Sequence, residues 1–152
     1  MTKIGKVVAV LFVLLWILTG YLLYDRFKAS EGIGIGSQAY VDVAVPAIVY
    51  EWSQAEFGFR ASRKLHDSFK ANELDALFIK MKNGLGKMTK YRGSAGDATV
   101  HRNDTGAETI YAKYLAKADF EKGDADITMT LVLEDGKWKI NQFFVDSSVF
   151  SK

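Results

Sequence analysis

The feature that most constrains this chain is an uncharged apolar run near its start. Residues 7–24 read VVAVLFVLLWILTGYLLY, and only Thr19 and Gly20 interrupt the apolar sequence. At a rise of about 1.5 Å per residue, a helix of this length spans about 27 Å, close to the ~30 Å hydrocarbon core of a bilayer. Apolar residues occupy every helical face, which argues against a helix lying on the membrane surface. The run therefore predicts a transmembrane helix.

We expect residues 1–28 to form a retained membrane anchor. A signal peptide would have a shorter apolar region followed by small residues at a cleavage site, whereas the charged stretch 25–28 (DRFK) follows this run directly. Aromatic rings favour the membrane interface, and two tyrosines lie near the far end of the run. The residues expected to contact lipid are Val7, Leu11, Leu14, Leu15, Trp16, Leu18, Tyr21 and Tyr24.

The orientation of the anchor rests on its flanking charges. Lys3 and Lys6 precede the run and Arg26 and Lys28 follow it, while Asp25 weakens the second pair. The α-amino group adds to the first side, so the positive-inside rule places the N-terminus in the cytoplasm. We expect a single-pass protein of a bacterial inner membrane with its C-terminal domain in the periplasm. The absence of cysteine excludes disulfides, thiolate metal sites and cysteine catalysis.

A short linker and one soluble domain are predicted after the anchor. Residues 29–37 (ASEGIGIGS) have the composition of a flexible tether, and residues 38–152 suffice for one domain with a hydrophobic core. The Gly-x-Gly-x-Gly pattern is not a nucleotide-binding loop, because no strand precedes it and no Lys-Ser/Thr follows it. Residues 31–152 hold 16 basic and 17 acidic residues, so a nucleic-acid partner is not predicted.

Two helical stretches begin the soluble part. Apolar residues recur at helical spacing over 41–55 and again over 74–88. Pro46 must kink the first helix or mark its first turn. Asn72 is a plausible cap for the second helix, and segment 57–69 fits neither helix nor strand clearly. The residue that ends the second helix is predicted to be Gly84 or Gly86.

After the second helix the apolar pattern changes from helical to alternating. Asp135-Gly136 is a strong signal for a tight hairpin. A helical block followed by a strand block implies an α+β fold, with helices packed on one face of a three- or four-stranded antiparallel sheet. The predicted strands are two short ones within 91–102, around Gly93 to Gly96, and longer ones at 108–120, 127–134 and 137–145.

The order of elements resembles the NTF2-like (cystatin-like, cone-shaped) superfamily. Segment 131–140 (LVLEDGKWKI) is similar to its final hairpin, which commonly reads apolar-x-apolar-x-x-Gly-x-Trp-x-apolar. Segment 85–88 resembles the helix-to-sheet junction of uncharacterised bacterial members with an N-terminal anchor. The resemblance covers about residues 38–147 and implies a curved sheet around the helices. The superfamily includes isomerases, dehydratases, transport factors and anchored assembly subunits of secretion systems, so it fixes no function.

An enzyme of this superfamily would place ionisable side chains inside the cone. His66 and Asp67 are adjacent, so their side chains on a helix point about 100° apart and do not readily form a dyad. His101 lies beside a turn, and two histidines without helical spacing do not suggest a metal site. We therefore predict no catalytic residue, metal or cofactor. The candidates weighed were His66, Asp67, His101, Asp104, Tyr111 and Tyr114.

Two groups of residues are candidates for a partner surface. Tyr114 shares a strand face with the predicted core, which leaves Tyr111, Lys113 and Leu115 on the open face of the sheet. Residues 60–92 hold nine basic and three acidic residues, so a basic helical surface could meet anionic headgroups or an acidic subunit. The residues of that surface named as candidates are Arg60, Arg63 and Lys64.

These patterns predict an anchored interaction subunit that binds the lipid bilayer and another membrane or envelope protein, or itself. The alternative is an anchored small-ligand binder or an isomerase- or dehydratase-like enzyme using the cone. A deep pocket containing His101 or an aspartate would favour that alternative. A cone filled by Trp138, Phe143 and Phe144, with an apolar patch outside, would favour the interaction subunit.

Overall fold

A computed structural model describes Thr19 and residues 36–102 and 104–150 of the chain. The chain divides into two compact units, Met1–Ile33 and Gly34–Lys152, and all described residues except Thr19 belong to the second. The predicted anchor, its orientation and most of the predicted tether lie outside the described residues. Among the residues that are described, no helix combines the length and apolar character needed to cross a membrane.

The first helix, α1, covers residues 36–49. Residues 36 and 37, the last two of the predicted tether, lie in this helix. Pro46 lies inside the helix and not in a first turn. The chain leaves α1 through Trp52, which has a positive φ of 59° and donates its indole N–H to the Gly86 carbonyl at 2.8 Å. Four residues of the predicted stripe are buried in α1: Val41, Val45, Ile48 and Val49. The predicted extension of the helix to residue 55 is wrong, because α1 ends at residue 49 and Ala55 is exposed in the next helix.

Two short helices occupy the segment that the apolar pattern left ambiguous. They are α2 (Gln54–Arg60) and α3 (Arg63–Ser68). Each begins at a serine whose hydroxyl accepts a backbone N–H three residues further on, which satisfies one orphan donor of the first turn. These caps are Ser53 and Ser62. The short helices are therefore specified by their caps rather than by an apolar repeat.

Helix α4 spans Ala71–Leu85. The prediction that Asn72 caps it is wrong, because Asn72 lies inside the helix and the capping position is Lys70. The Glu73 carboxylate accepts from the backbone N–H of Lys70 at 3.5 Å. The helix ends at Gly86, whose φ is 76°, and this confirms one of the two predicted stops.

The remaining chain forms one four-stranded antiparallel sheet in the order β1-β2-β3-β4. The predicted α+β class, with helices preceding an antiparallel sheet, is confirmed. Asp135 and Gly136 both have positive φ, 49° and 72°, as the predicted tight hairpin requires. The elements are β1 (Met88–Arg102), β2 (Glu108–Phe120), β3 (Gly123–Glu134), β4 (Lys137–Asp146) and a 3₁₀ turn (Ser148–Phe150).

The prediction of two short strands before residue 102 is wrong, because β1 is one strand with a bulge. Tyr91 pairs with Ala118 and Ser94 with Ala116, so two residues of β1 lie opposite one residue of β2. Gly93, with a φ of 92°, allows this extra residue without breaking the ladder. The glycines that suggested a turn therefore bend a continuous strand.

The inner face of the sheet, the face that packs on the helices, is close to α1. Tyr114 is the one large residue at the centre of this face of β2, and its hydroxyl lies 2.8 Å from Ser37 Oγ in a buried hydrogen bond. A side chain at Gly96, opposite Tyr114, would overlap the Lys113 carbonyl oxygen. The predicted inward residues of β2 are all buried except half-buried Ile110: Ala112, Tyr114, Ala116 and Phe120.

Aromatic rings fill the other end of the inner face. Trp52 stacks on Phe120 with ring centroids 5.4 Å apart. Phe57 lies 5.4 Å from Phe78 and 5.6 Å from Phe143. Such pairs add about 0.5–1.5 kcal/mol each beyond the area they bury. Phe143 therefore helps to fill the space between sheet and helices.

A polar seam joins α1 to the bulged part of β1. The Asp42 carboxylate accepts from the Tyr91 hydroxyl and from Ser94 Oγ, both at 2.7 Å. The Gln38 amide donates to the Ser94 carbonyl at 2.9 Å. Burial, reinforced by the hydrogen bond to Asp42, raises the pKa of Tyr91 above its ordinary value of 10.0. The seam therefore depends on a protonated tyrosine.

This seam predicts a loss of stability at alkaline pH. The folded-state pKa of Tyr91 is above the unfolded value, so its contribution is complete below pH 10.0 and is lost as pH rises further. Near neutral pH, Tyr91→Phe should lower the free energy of unfolding by about 1–2 kcal/mol, because Asp42 loses a donor. Urea unfolding at several pH values should show a weaker alkaline decline in this variant. Tyr50 is exposed, so Tyr50→Phe is the control. If the stability of both variants falls equally at alkaline pH, the assignment of this fall to Tyr91 is wrong.

Candidate interaction surfaces

The outer face of the sheet, opposite the helices, carries a row of one residue from each of the four strands, three of them apolar and one a threonine. Ala95 pairs with Leu115, Leu115 with Thr128, and Thr128 with Phe144. Neighbouring strands lie about 4.8 Å apart, so the row is roughly 15 Å long. Leu115 is 40% exposed and Phe144 is 64% exposed. These four residues are called the apolar row below.

Phe144 reaches the outer face because β4 contains a bulge. Thr130 pairs with Gln142 but Leu131 pairs with Ile140, so Asn141 is an extra residue. Side chains alternate along a strand, and one extra residue reverses the alternation. Phe143 therefore follows Ile140 onto the inner face, and Phe144 points outward. The grouping of Phe144 with the residues that fill the interior is wrong for this reason.

Polar residues border the apolar row on the outer face. Lys113 pairs with Asp97 on one side and with Thr130 on the other. Tyr111 is half-buried and meets His101 edge to face, with ring centroids 5.6 Å apart. Asp97, His101, Tyr111 and Lys113 are among the residues that line an open hollow of about 510 Å³ on this face. Tyr111, Lys113 and Leu115 therefore share the outer face, as their parity predicted.

The predicted basic residues lie on a different surface. The Ser62 N–H donates to the Ile140 carbonyl at 2.8 Å, which places the junction of α2 and α3 at the β4 edge of the sheet. Arg60 is paired with Glu56 at 3.0 Å, and Arg63 with Asp135 at 2.7 Å. The structure thus separates Arg60, Arg63 and exposed Lys64 from Tyr111, Lys113 and Leu115.

Three elements form a surface that we call the basic–aromatic patch, around a hollow of about 400 Å³. Phe59, at the end of α2, is 77% exposed. The Lys139 ammonium donates to the Phe59 carbonyl at 2.9 Å and lies 5.3 Å from the centre of its ring. The Arg60 guanidinium lies 5.8 Å from the centre of the Tyr40 ring. The residues of the patch are Tyr40, Phe59, Arg60, Lys137, Trp138 and Lys139.

The basic–aromatic patch was missed by sequence reasoning. Its six residues come from three separate segments, so no local repeat connects them. Trp138 was expected to point inward, and it is half-buried. Burial is the larger influence on Tyr40 and raises the pKa of its phenol, against the opposite effect of Arg60. Phe59 is exposed, and no apolar repeat in the sequence identifies it as part of a surface.

Apart from these two hollows, an apolar groove of about 350 Å³ lies among α2, α3 and the start of α4. Its lining includes Phe57, Leu65, Phe69 and Leu74, with His66 and Lys70 beside them. His66 Nδ1 lies 3.6 Å from Asp67 Oδ1. The two side chains approach each other without forming a hydrogen-bonded dyad, and both are largely exposed.

The other catalytic candidates do not converge on one site, although His101 and Tyr111 meet on the outer face. His101 is on the outer face, Asp104 is in the turn after β1, and Tyr114 is in the core. Among the residues that the structure describes, no group of three or more histidine, aspartate or glutamate residues could hold a metal ion. His101 and Asp97 line the hollow of about 510 Å³, but that hollow is open and lies on the outer face, not inside the core.

The chain was compared with family models, curated proteins and solved structures, and none of them matches it. The resemblance to the NTF2-like superfamily therefore stays a prediction. Function has to be inferred from the surfaces described above.

Because of the bulge at Asn141, we expect alanine substitutions at two adjacent phenylalanines to change the free energy of unfolding by very different amounts. Phe143→Ala removes a ring that packs on Phe57 and should lower the free energy of unfolding by about 2–4 kcal/mol. Phe144→Ala removes an exposed ring and should change it by less than about 0.5 kcal/mol. Urea unfolding of both variants measures the difference. Equal costs, or a larger cost at Phe144, would show that β4 continues without the bulge.

Proposed function

We propose that this protein is a membrane-anchored subunit of an envelope complex, and that the outer face of its sheet binds a partner protein. The apolar row is the observation that carries this proposal. Leu115 and Phe144 are exposed on a face bordered by Lys113, Asp97 and Gln142. Exposed apolar side chains within a polar border are typical of protein–protein interfaces.

The outer face is also large enough for a specific interface. Four strands about 4.8 Å apart and roughly ten residues long, at about 3.3 Å per residue, present roughly 600 Å². A standard interface buries about 800 Å² on each partner, and weaker, transient ones bury less. The strands and their neighbouring loops can therefore supply one partner's share of such an interface.

The charges on this face favour a protein over a nucleic acid. Asp97 and Lys113 have opposite charges and are paired across β1 and β2. Lys117 pairs with Asp126 at 3.1 Å further along the same face. A phosphate backbone requires a surface of one sign, whereas alternating charges suit a partner with complementary charges.

The anchor and the fold family complete the proposal. The apolar run at 7–24 would hold the domain at the inner membrane, with the N-terminus in the cytoplasm and the domain in the periplasm. Tethering raises the effective concentration of a domain near other membrane proteins, so a weak interface can suffice. The helices followed by an antiparallel meander support an NTF2-like domain of the anchored assembly class.

A second candidate function is binding of a small apolar ligand in the groove among α2, α3 and α4. Its volume of about 350 Å³ is at the low end of the range of about 300–1,000 Å³ for ligand pockets. His66 and Lys70, its polar neighbours, are exposed and so give little orientation to a ligand. The groove therefore supports a binder less well than the outer face supports docking. Native mass spectrometry of the chain with and without Leu65→Trp tests it.

A charge placed in the apolar row should disrupt the complex. In a tagged full-length chain purified from native membranes in mild detergent, Leu115→Asp should reduce the co-purifying partner by about tenfold or more, as expected for a central interface residue. Val43 on α1 is 62% exposed and lies on another surface, so Val43→Asp should retain the partner. Recovery of the unsubstituted chain as a lone monomer would contradict the proposal.

Two further measurements separate failure of docking from failure of anchoring. A photo-crosslinking residue at position 144 should capture the same partner, and one at position 43 should not. Alkaline carbonate washing should leave the chain in the membrane pellet. Release into the supernatant would refute the anchor, whereas retention without any crosslinked partner would refute the docking surface.

A further inference from the structure

We propose that the basic–aromatic patch rests on anionic phospholipid headgroups of the membrane that anchors the chain. This inference relies on the anchor in the proposed function but not on the docking surface. Tryptophan, tyrosine, lysine and arginine are the residues enriched where proteins meet the headgroup region. The patch contains all four types, together with the exposed ring of Phe59.

The exposure of Phe59 is fixed by the fold. Its carbonyl accepts from the Lys139 ammonium, which ties the end of α2 to β4. The Ser62 N–H bond to the Ile140 carbonyl ties the next residues to the same strand. The ring is therefore held away from the core by contacts on both sides, and it projects from a rigid part of the domain. A rigid exposed aromatic loses little entropy on binding.

The charges of the patch suit an anionic surface. Lys137 is exposed, Lys139 is half-buried against Phe59, and Arg60 is paired with Glu56. Glu134 on β3 lies directly opposite Lys137 on β4 in the register of the hairpin. It is therefore the nearest acid to this exposed lysine on the paired strands. Arg63 is paired with Asp135, whereas exposed Lys64 adds charge beside the patch. Near an anionic membrane each lysine or arginine changes the binding equilibrium by about fivefold.

The position of the patch along the chain favours lipid over an acidic protein. The indole nitrogen of Trp138 lies 3.9 Å from the position of a Cβ on Gly36, in the first described turn of α1. Twelve residue steps separate Gly36 from Tyr24, the end of the apolar run. A chain of twelve residues spans at most about 40 Å when fully extended. The patch thus surrounds the point where the tether enters the domain, within reach of the headgroups.

A lipid-bound patch would orient the domain. The patch lies at the β4 edge, whereas the apolar row crosses the outer face. Contact at the edge leaves that face uncovered and directs it along the membrane, towards neighbouring membrane proteins. The same contact would restrict rotation about the tether, which lowers the entropy cost of docking.

The absence of cysteine makes a direct test possible, because one introduced cysteine is the only labelling site. Phe59→Cys in the full chain is labelled with an environment-sensitive fluorophore and reconstituted in vesicles. We expect a blue shift and quenching by spin-labelled lipid in vesicles of phosphatidylcholine and phosphatidylglycerol, and neither in phosphatidylcholine alone. Val43→Cys, on exposed α1 surface, should report water in both vesicles.

Charge variants provide the second arm. Lys137→Gln in the labelled chain should weaken the bound state by about fivefold at low salt, and Lys90→Gln on β1 should leave it unchanged. High salt should reverse the shift at position 59. Identical emission at positions 59 and 43 in both vesicles would overturn the proposal. So would a shift that appears only in native membranes with a protein partner. Carbonate-resistant insertion in these vesicles shows separately that the anchor is intact.

Discussion

The close approach of α1 to the inner face of β2 is the constraint on which the rest of this domain depends. Ala112, Ala116 and Ala118 are buried there, and the methyl groups leave room for a helix. Tyr114 is the large exception, and its hydroxyl is satisfied by Ser37 on the helix itself. A helix held this close fills the centre of the inner face. The shorter helices then pack around the end of the sheet, where the aromatic cluster lies.

Two bulges determine which side chains reach each face. The first, at Gly93, lets β1 bend while Tyr91 and Ser94 both reach Asp42 on α1. The second, at Asn141, moves Phe143 into the aromatic cluster and Phe144 to the outer face. The seam that holds α1 and the apolar row that we assign to docking therefore both result from an extra residue in a strand. A regular sheet of this composition would have neither.

The parts of the fold that could be predicted are those set by local sequence. The alternation in β2 and the Asp135-Gly136 hairpin each depend on neighbouring residues, and each was predicted correctly. The stop at Gly86 is one of the two glycines that were predicted. The bulge at Asn141 depends on pairing with β3, so no inspection of β4 alone reveals it. For the same reason the continuous strand through Gly93 was predicted as two. The outer-face residues of β2 were identified by parity, whereas the basic–aromatic patch required three segments to be brought together.

Electrostatics shows most clearly why a linear count of charges does not predict a surface. The nine basic residues of 60–92 suggest one strongly positive face. In the folded chain four of them meet acids, and two of those acids come from the sheet. Exposed ion pairs of this kind add little stability, but they cancel charge where the sequence suggests an excess. The basic–aromatic patch instead takes Lys137 and Lys139 from outside that segment. This basic surface is therefore a product of the topology, which brings α1, α2 and β4 together. The four pairs are Arg60–Glu56, Arg63–Asp135, Lys87–Glu51 and Arg92–Asp119.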